Sequence, residues 1–382
     1  MRLTSRTTEQ IHSPIGEAFA LVGLRTNDRP LLNLSQAAPS FPTAPVIAAR
    51  IAEVAGEPSG GFYAPQEGLP HVRAAFADDL HAAYGATIDV DEILITAGCN
   101  QAFCLVTSAL AEAGDEIMIP APFYFNHDMW LRLDGLGVVH LPAGDDHLPD
   151  VDDARRRLTE HTRAIVLVTP GNPTGVTIPP ELLHSFADLA KERGIVLIVD
   201  ETYRSYRGTD EPAHRLFERP DWQDYVVSLH SFSKELAIPG YRVGAVVGAP
   251  ALLAEAMKLL DCVAICAPRI GQEAVATGLR EAGEWRRDVA ARIGKMQVLF
   301  DSALAAKPGG YELVTAGAYF GWVRHPFDEP TADVVRRLVT KHDVLVIPGT
   351  AFTPTDERFL RFSFANLDEA DIGELVARLS ER

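Results

Sequence analysis

The amino-acid sequence predicts an α/β protein with a three-layer α/β/α large domain and a smaller α+β domain. Short β-branched runs alternate with amphipathic stretches from about residue 92 to residue 247, and the runs are apolar on both faces. From about residue 271 the pattern changes to long helical segments. Strands that are apolar on both faces are typical of a parallel sheet covered by helices. Their alternation with helices favours an open, doubly covered sheet.

The predicted strands follow one another along the first two thirds of the chain. Each is a short run rich in Ile, Val and Leu, which favour extended backbone. Between them, the segment Pro180–Arg193 begins at a proline pair and stops at Gly194, as helices commonly do. The stretch Gln101–Ala113 is also predicted to be helical. The strands are Glu92–Thr96, Glu116–Pro120, Ala164–Thr169, Ile195–Asp200, Tyr225–Leu229 and Val243–Val247.

The last third of the chain predicts a second, smaller domain. Two long helical segments, Gln272–Gly283 and Trp285–Ala306, precede a strand-rich tail. The tail strands are expected near Tyr311–Val323, Val344–Ile347 and Arg361–Ala365. We expect the N-terminal residues to complete this domain. The predicted boundaries are therefore 41–275 for the large domain and 1–40 plus 276–382 for the small domain.

Composition excludes several classes of protein. The 382 residues carry 35 Lys and Arg against 52 Asp and Glu, a formal net charge of −17, so nucleic acid and anionic membranes are not expected partners. No apolar stretch is long enough to span a membrane, and the basic N-terminus lacks the apolar core of a secretory signal. Neither a CxxC pair nor a His/Cys cluster is present, so we expect no metal site and a cytoplasmic protein with reduced thiols at Cys99, Cys104, Cys262 and Cys266.

Two loops after predicted strands have the chemistry of ligand sites. The segment Thr96–Gln101 (TAGCNQ) ends a strand in a glycine turn and opens a helix. Free backbone N–H groups and the helix dipole can bind a phosphate there, although a plain strand-to-helix turn explains the same residues. The segment Pro170–Gly175 (PGNPTG) is a rigid double turn. It presents Asn172, whose amide can both donate and accept hydrogen bonds.

Asp200 closes an apolar strand and precedes Tyr203 by three residues. An apolar strand ending in Asp-Glu also occurs in phosphate-loop NTPases, but the GxxxxGK[ST] run that they require is absent from this sequence. A carboxylate at a strand end can instead pair with the nitrogen of a heteroaromatic ring and keep it protonated. We therefore interpret Asp200 as the partner of a ring nitrogen, which makes a pyridine an electron sink.

Lys234 lies in the run Ser231–Leu236 (SFSKEL), with Arg242 eight positions later. Lysine forms Schiff bases readily because burial and nearby positive charge lower the pKa of its amine. An amine beside small hydroxyl groups and an arginine fits a ligand with an aldehyde and a phosphate, and pyridoxal 5′-phosphate (PLP) has both. The run also reads S-x-x-K, as in serine β-lactamases, but the companion motifs S-D-N and K-T-G are absent from this sequence.

Arg361 lies in a predicted strand of otherwise apolar and small residues, Phe359–Ala365. An arginine on an inward strand face requires an anion, and its planar fork matches a carboxylate through two parallel hydrogen bonds. The alternative is an edge-strand arginine that pairs with a surface Asp or Glu. The sequence leaves these two interpretations equally open.

Together these segments, from about Leu31 to Ala365, resemble the class I/II aminotransferases, PLP-dependent enzymes of fold type I that include aspartate aminotransferase. The most specific segments are PGNPTG, DETY at 200–203, and SFSK followed by GYRVG at 240–244. The segment at 61–73 also resembles the family's Y-x-P-x-x-G-x-x-x-L-R stretch. The resemblance implies the PLP-transferase fold type I for the large domain and PLP as cofactor.

The resemblance also implies roles for the residues at matched positions. Lys234 would form the Schiff base with PLP and act as the catalytic base, and Asp200 would bind the pyridinium nitrogen. Asn172 and Tyr203 would hydrogen-bond the phenolic oxygen, while Tyr124 would stack on the ring. The residues around the phosphate would be Gly98, Cys99, Asn100, Ser231, Ser233 and Arg242.

Three further positions concern the substrate and the partner subunit. Arg361, together with Asn172, would bind the substrate α-carboxylate. Tyr63 would reach the phosphate of the partner subunit, which implies a homodimer with shared active sites. Ala37 stands where the family commonly has a glycine whose backbone approaches the substrate. Its methyl group narrows that approach.

The function implied by the resemblance is that of a transaminase, moving an amino group between an L-amino acid and a 2-oxo acid. The alternative is another fold type I reaction on an amino acid, such as a β-lyase, decarboxylase or oxidase of natural-product metabolism. A non-catalytic PLP-binding regulator is disfavoured because no basic helix-turn-helix extension is present. The amino acid itself stays open: Arg269 would suit an acidic side chain and Glu17 a basic one, and both also fit surface or interface charges.

Overall fold

The computed structural model describes residues 1–209, 211–355 and 358–381. Its centre is a seven-stranded sheet with the order β2-β8-β7-β6-β5-β3-β4. The strands of the described residues are β1 Leu32–Asn33, β2 Ile93–Thr96, β3 Glu116–Ala121, β4 Gly137–Pro142, β5 Thr162–Val168, β6 Val196–Asp200, β7 Val226–Ser231, β8 Gly244–Val247, β9 Glu312–Gly317, β10 Phe320–Arg324, β11 Val344–Leu345, β12 Ile347–Pro348 and β13 Phe359–Phe362.

Helices cover both faces of this sheet, which confirms the predicted three-layer architecture. The helix at Pro180–Arg193 ends where expected, because Gly194 adopts the left-handed conformation that favours glycine. The helices of the described residues are α1 Ser5–Thr8, α2 Pro14–Ala20, α3 Pro45–Gly56, α4 Pro70–Tyr84, α5 Cys99–Leu110, α6 Phe125–Asp134, α7 Val151–Arg157, α8 Pro180–Arg193, α9 Phe232–Glu235, α10 Pro250–Val263, α11 Arg269–Glu281, α12 Gly283–Leu304, α13 Thr331–His342 and α14 Glu369–Ser380.

The alternation of side chains along each strand separates two hydrophobic layers. On β6, Leu197 and Val199 join one buried cluster, whereas Ile198 between them joins the cluster on the opposite face. Successive side chains of a strand point to opposite faces of a sheet, so strands with helices on both sides must be apolar throughout. This geometry explains the continuous apolar runs in the sequence.

Two expectations about the sheet are wrong in detail. The sheet is mixed, because β8 runs antiparallel to both of its neighbours, β2 and β7. The connection from β7 to β8 contains the four-residue helix α9 and the 3₁₀ turn Pro239–Tyr241, in place of the longer helix that usually forms a parallel crossover. Strand β4 was not expected from the sequence: it is an edge strand with mostly half-buried side chains, and its pattern is correspondingly weak.

A second, four-stranded antiparallel sheet with the order β12-β13-β10-β9 lies in the C-terminal part of the chain. The expected strand at 344–347 divides into two pieces, since β11 pairs with β1 and β12 pairs with β13. A separate buried cluster joins this region to N-terminal residues such as Leu32 and Leu34. That cluster supports the predicted domain division at 41–275 against 1–40 plus 276–382, which stays a prediction. None of the described helices is both long and apolar enough to cross a membrane.

Candidate active site

A cavity of about 500 Å³ opens at the carboxyl ends of three neighbouring strands of the central sheet. Val168, Asp200 and Ser231, the last residues of β5, β6 and β7, all line it. In open α/β sheets, ligands bind in the crevice at this edge. The remaining lining residues are Ser13, Ile15, Gln36, Ala37, Cys99, Asn100, Tyr124, Phe125, Asn126, Asn172, Thr202, Tyr203, Ser233, Lys234, Pro239, Arg242 and Arg361.

Asp200 is a buried carboxylate with three partners. Its Oδ2 lies 3.3 Å from Nε2 of His127, and its Oδ1 accepts a hydrogen bond from the Thr202 backbone N–H at 3.0 Å. The Cys99 thiol donates to the same Oδ1 at 3.7 Å. Burial alone would raise the pKa of Asp200, but His127 and Thr202 hold it below its usual value. The carboxylate therefore stays ionised and can face a cationic nitrogen.

Lys234 projects into the cavity from the short helix α9. The Ser231 side chain caps this helix by accepting the Ser233 N–H at 3.3 Å, and the lysine Nζ donates to the Ala37 carbonyl. Burial, followed by the charges of Arg361 and Arg242, lowers the pKa of Lys234 to about 8. At neutral to mildly alkaline pH, a substantial fraction of this amine is neutral and nucleophilic.

A candidate anion site, which we call the anion seat, lies where helix α5 begins, beside Arg242. Gly98 precedes this helix with φ +92°, and a Cβ at that position would lie 2.4 Å from Nη2 of Arg242. A Cβ on Gly244 would lie 2.6 Å from the Cys99 nitrogen. The two glycines therefore let the helix N-terminus, β8 and the guanidinium converge. Unpaired first-turn N–H groups with an arginine beside them form a phosphate site.

Arg361 is 2% exposed and lies on the inner strand β13, between β12 and β10. Its guanidinium carbon is 4.8 Å from the ring centroids of both Phe320 and Phe352. Its Nη1 donates to Asn172 Oδ1 at 2.8 Å, and its Nη2 donates to the Ser35 carbonyl. These contacts exclude the edge-strand interpretation.

The charge of Arg361 has no partner of opposite sign in the part of the chain that the structure describes. Among the described residues no carboxylate pairs with it, and its Nε is buried without a hydrogen-bond partner. Burial lowers the pKa of Arg361 to about 10, so it remains a cation at neutral pH. A buried, uncompensated cation in a cavity favours an anionic ligand.

Two tyrosines complete the walls. Tyr124 is half-buried; its hydroxyl accepts a hydrogen bond from Asn126 Nδ2 at 2.9 Å and lies 3.5 Å from Asn100 Oδ1. Tyr203 is buried, and burial raises the pKa of its phenol well above the usual value. It therefore stays a neutral hydrogen-bond donor. Both line the cavity, while their predicted contacts with the cofactor stay predictions.

Three residues considered in the sequence lie outside this cavity. Tyr63 is 74% exposed and belongs to no wall of this subunit's cavity. Arg269 donates through Nε to the Phe62 carbonyl at 3.2 Å and through Nη2 to the Tyr63 carbonyl at 3.1 Å. Glu17 is an exposed residue in the first turn of α2. Neither charge reaches the site within one subunit.

His127 is the main functional residue that sequence reasoning missed. It lies on the buried face of α6, where its ring stacks on Phe103 at 4.0 Å and its Nε2 contacts Asp200. Its spacing from Tyr124 was the available signal, because residues three apart share one helix face. A lone histidine on an apolar face gives no direction toward a partner on a distant strand. Thr202, Gln36 and Asn126 were also missed.

The residues fit the cofactor that the resemblance implies. An amine, an ionised carboxylate, an anion seat and an aromatic ring line one cavity, at Lys234, Asp200, Arg242 and Tyr124. The absence of a side chain at Gly98 lets the Arg242 guanidinium lie against the start of α5, and a cation beside a helix N-terminus has the chemistry that a phosphate requires. Among the described residues, no group of three or more His, Cys, Asp and Glu side chains could hold a metal ion.

The chain is similar to known aminotransferases in sequence and in fold. A family model described as aminotransferase class I and II matches residues 29–379. The aromatic aminotransferase ISS1 of Arabidopsis thaliana is 33% identical over 343 residues, which cover 86% of this chain and 84% of that protein. An aspartate aminotransferase of Pyrococcus horikoshii is 28% identical over 312 residues, 80% of this chain and 79% of that protein.

Solved structures of aminotransferases also share the fold of this chain. A double mutant of Thermus thermophilus aspartate aminotransferase superposes with a TM-score of 0.91 at 25% identity, covering 100% of this chain and 99% of that one. The substrate-bound structure of BacF from Bacillus subtilis superposes with a TM-score of 0.90 at 25% identity, with coverage of 100% and 98%. From the match over residues 29–379 and the shared fold, the chain belongs to the class I and II aminotransferase family and is a PLP-dependent aminotransferase.

Proposed function

We propose that this aminotransferase uses Lys234 both to bond the PLP aldehyde and to move the substrate α-proton. The observation that carries the proposal is a largely buried lysine, with its pKa lowered to about 8, in the same cavity as the ionised Asp200 and as Arg361, which pairs with no carboxylate among residues 1–209, 211–355 and 358–381. An amine with a pKa near the working pH can both attack a carbonyl and accept a proton. PLP, when bound, supplies that aldehyde and an electron-withdrawing ring.

Asp200 would hold the proton on the pyridine nitrogen. Its low pKa and its contact with His127 keep the carboxylate charged in a buried position. An ion pair at this point favours the cationic ring, which stabilises negative charge that develops at the substrate Cα. Tyr203 and Asn172 would donate hydrogen bonds to the phenolic oxygen, and the Tyr124 ring would cover one face.

Arg361 would bind the α-carboxylate of the amino acid and of the 2-oxo acid. Its contact with Asn172 and its two flanking phenylalanine rings fix the plane of the guanidinium. A fixed fork orients a carboxylate through paired hydrogen bonds. The α-proton would then face the amine of Lys234. The phosphate would be held by the residues around the start of α5 and α9, namely Gly98, Cys99, Asn100, Ser231, Ser233 and Arg242.

The relatives favour transamination over the other PLP reactions considered, since they are named as aminotransferases of aromatic amino acids and of aspartate. Which of the two classes this enzyme prefers stays open. Unpaired cysteines among the described residues support a cytoplasmic location.

We also propose a homodimer that shares its active sites. The exposed Tyr63 and its neighbour Phe62 form an apolar tip that contacts little of its own subunit. Arg269 holds this tip by its backbone carbonyls, with hydrogen bonds of 3.1 and 3.2 Å. Large exposed aromatic side chains on a braced loop suit a protein interface. Tyr63 would reach the partner's phosphate, and Arg269 would act as its brace.

The Lys234→Ala variant tests the assignment. We expect it to lose more than about 1,000-fold in kcat, because it lacks both the nucleophile and the base. Borohydride should fix PLP covalently to the wild-type enzyme and not to the variant, and mass spectrometry of the labelled peptide should locate the attachment at residue 234. The exposed Lys295→Ala serves as the matched control and should behave like wild type. Normal transamination by Lys234→Ala would contradict the assignment.

A further inference from the structure

Four largely buried charged side chains form a closed ring outside the cavity lining, next in sequence or contact to residues of the site. We call Asp79, Arg204, Glu235 and Arg286 the charge ring. Arg286 Nη1 lies 2.8 Å from Asp79 Oδ1, and Arg286 Nη2 contacts Glu235 Oε1. Arg204 Nη2 contacts Asp79 Oδ2 and lies 3.5 Å from Glu235 Oε2. The two cations and two anions alternate, so the ring is neutral as a whole.

The charge ring is too deeply buried to be a surface feature. The exposed fractions of its side chains are 12% for Asp79, 9% for Arg204, 4% for Glu235 and 21% for Arg286. Burial by itself would raise the pKa of Glu235, but Arg286 and Arg204 hold it below its usual value. A buried ion pair is costly to leave incomplete and gives little net stability compared with apolar packing. Because any single unpaired charge would be costly, the closed ring holds the segments that carry its four members in one relative position.

The ring members adjoin the proposed reacting residues along the chain. Glu235 follows Lys234 at the end of α9, and Arg204 follows Tyr203. A second contact holds the same turn, because the Tyr206 hydroxyl donates to the Lys234 carbonyl at 2.9 Å. The Glu235 side chain is thus held by Arg286 and Arg204, and the Lys234 carbonyl is held by Tyr206. A four-residue helix has too few internal hydrogen bonds to hold its shape alone.

The ring also crosses the predicted boundary between the domains. Asp79 lies on α4 and Arg204 in the 3₁₀ turn Arg204–Tyr206, both in the predicted large domain. Arg286 lies on the long helix α12 of the predicted small domain. A single guanidinium therefore joins α4 and α9 to α12. A movement of α12 would therefore displace Glu235, the residue next to Lys234.

We propose that the charge ring is a positioning device for Lys234 and that Arg286 couples the position of this amine to helix α12. The proposal rests on the function proposed for Lys234. None of the ring members lines the cavity, so the ring would act through α9. Breaking it would misplace the amine without removing the carboxylate site at Arg361.

The test compares Glu235→Gln, Arg286→Lys and the control Lys295→Gln in the PLP-loaded enzyme. Lys295 lies on the same helix α12 and pairs with Glu369 at 2.6 Å, with both side chains more than half exposed. The two ring variants should lose about 10- to 100-fold in kcat per loaded site, since a displacement of about 1 Å in a reacting group has effects of that order. Their KM should stay within about 2-fold, whereas the control should match wild type.

Hydrogen exchange of the backbone amides at 232–236 provides a readout that does not depend on turnover. In both the apoenzyme and the loaded enzyme, the ring variants should exchange about 10-fold faster there, while the central strands keep their protection. Wild-type kcat per loaded site with only a lower Tm would overturn the proposal, and so would a lower kcat without faster exchange at 232–236. If Glu235→Gln does not fold, Arg286→Lys decides, because it keeps the charge and loses the bridging fork. Normal turnover by Lys234→Ala would instead show that the site assignment itself is wrong.

Discussion

At the scale of single residues, the clearest evidence of a ligand is the state of Arg361. It is buried on an inner strand, flanked by two phenylalanine rings, and has an Nε without a partner among the described residues. Leaving a buried charge unbalanced costs stability. A buried ionisable group that lowers the free energy of unfolding and lies in a cleft is a candidate ligand-binding residue. These contacts support Arg361 as the carboxylate-binding residue, an assignment that stays a prediction.

The Arg361→Lys variant should raise the KM for the amino acid by about 10- to 100-fold, because it loses the paired hydrogen bonds of the fork, at about 1.5–3 kcal/mol. PLP content should be unchanged. Steady-state kinetics with one amino acid and spectrophotometric PLP content measure both effects. Arg324→Lys is the matched control, since Arg324 stacks on Phe359 with its guanidinium 5.0 Å from the ring and is half exposed. An unchanged KM in Arg361→Lys would contradict the role.

At the scale of elements, the proposed phosphate seat depends on how closely a helix and a strand approach each other. Helix α5 begins at Cys99, and β8 passes its N-terminus at Gly244. Neither Gly98 nor Gly244 could carry a side chain without displacing its neighbours. The seat is therefore a property of the junction between two elements. It gathers N–H groups and a guanidinium without needing a long basic motif.

The Gly98→Ala variant should bind PLP about 10- to 100-fold more weakly and keep its fold. The new Cβ would lie 2.4 Å from Arg242 Nη2 at a φ of +92°, so the guanidinium must move from the phosphate and the backbone is strained. Titration of the apoenzyme with PLP measures the change. The nearby Gly240 has open space around its Cβ position, so Gly240→Ala should bind PLP normally. Equal affinities of the two variants would exclude a tight seat.

At the scale of the whole molecule, a buried polar network adjoins the site and makes stability depend on pH. Glu201, next to Asp200, contacts His214 Nε2 at 3.1 Å, the Ser228 hydroxyl at 2.6 Å and the Tyr84 hydroxyl. Ser228 in turn lies 2.8 Å from His230 Nε2. Burial opposes the charge on Glu201, but His214 and His230 hold its pKa below the usual value. The network ties β6 to β7 and α4.

Acid should destabilise the protein through His230. Burial lowers the pKa of His230 from 6.5 to about 4, so between these values the unfolded chain binds a proton that the folded protein does not. The contribution of neutral His230 to the free energy of unfolding is therefore fully present above pH 6.5 and is lost as the pH falls towards 4. The loss attributable to His230 is roughly 3 kcal/mol. Urea unfolding at matched protein and PLP concentrations measures it. His230→Gln should flatten this slope, whereas the exposed His161→Gln should keep it; equal slopes would contradict the assignment.

Sharing of the active site between subunits predicts complementation. A hybrid of one Lys234→Ala subunit and one Tyr63→Ala subunit should contain one intact site, formed by wild-type Lys234 with the partner's wild-type tyrosine. Activity at limiting PLP should therefore exceed that of either homodimer. The neighbouring Phe62→Ala provides the control, because its homodimer should already bind PLP normally. Hybrids that form and show no gain would contradict shared sites.

The sequence by itself determined the layered α/β architecture, the family with its cofactor, and the place of Asp200 at the end of β6. Continuous apolar runs require a sheet covered on both faces, and the residues that end β5, β6 and β7 must then meet at one edge. Local chemistry was sufficient to select Lys234, Asp200 and the glycine turn at Gly98 as candidates, and Lys234 and Asp200 line one cavity, while the roles of all three stay predictions. Each of these signals lies within a few consecutive residues.

Tertiary structure alone decided the rest. The antiparallel course of β8, the contact of His127 with Asp200, the inward face of Arg361 and the charge ring all join segments that are distant along the chain. A side chain's own sequence neighbours show its chemical type but not which remote group faces it. Partner choice and the resulting pKa depend on burial and distance, and both arise only when the chain is packed.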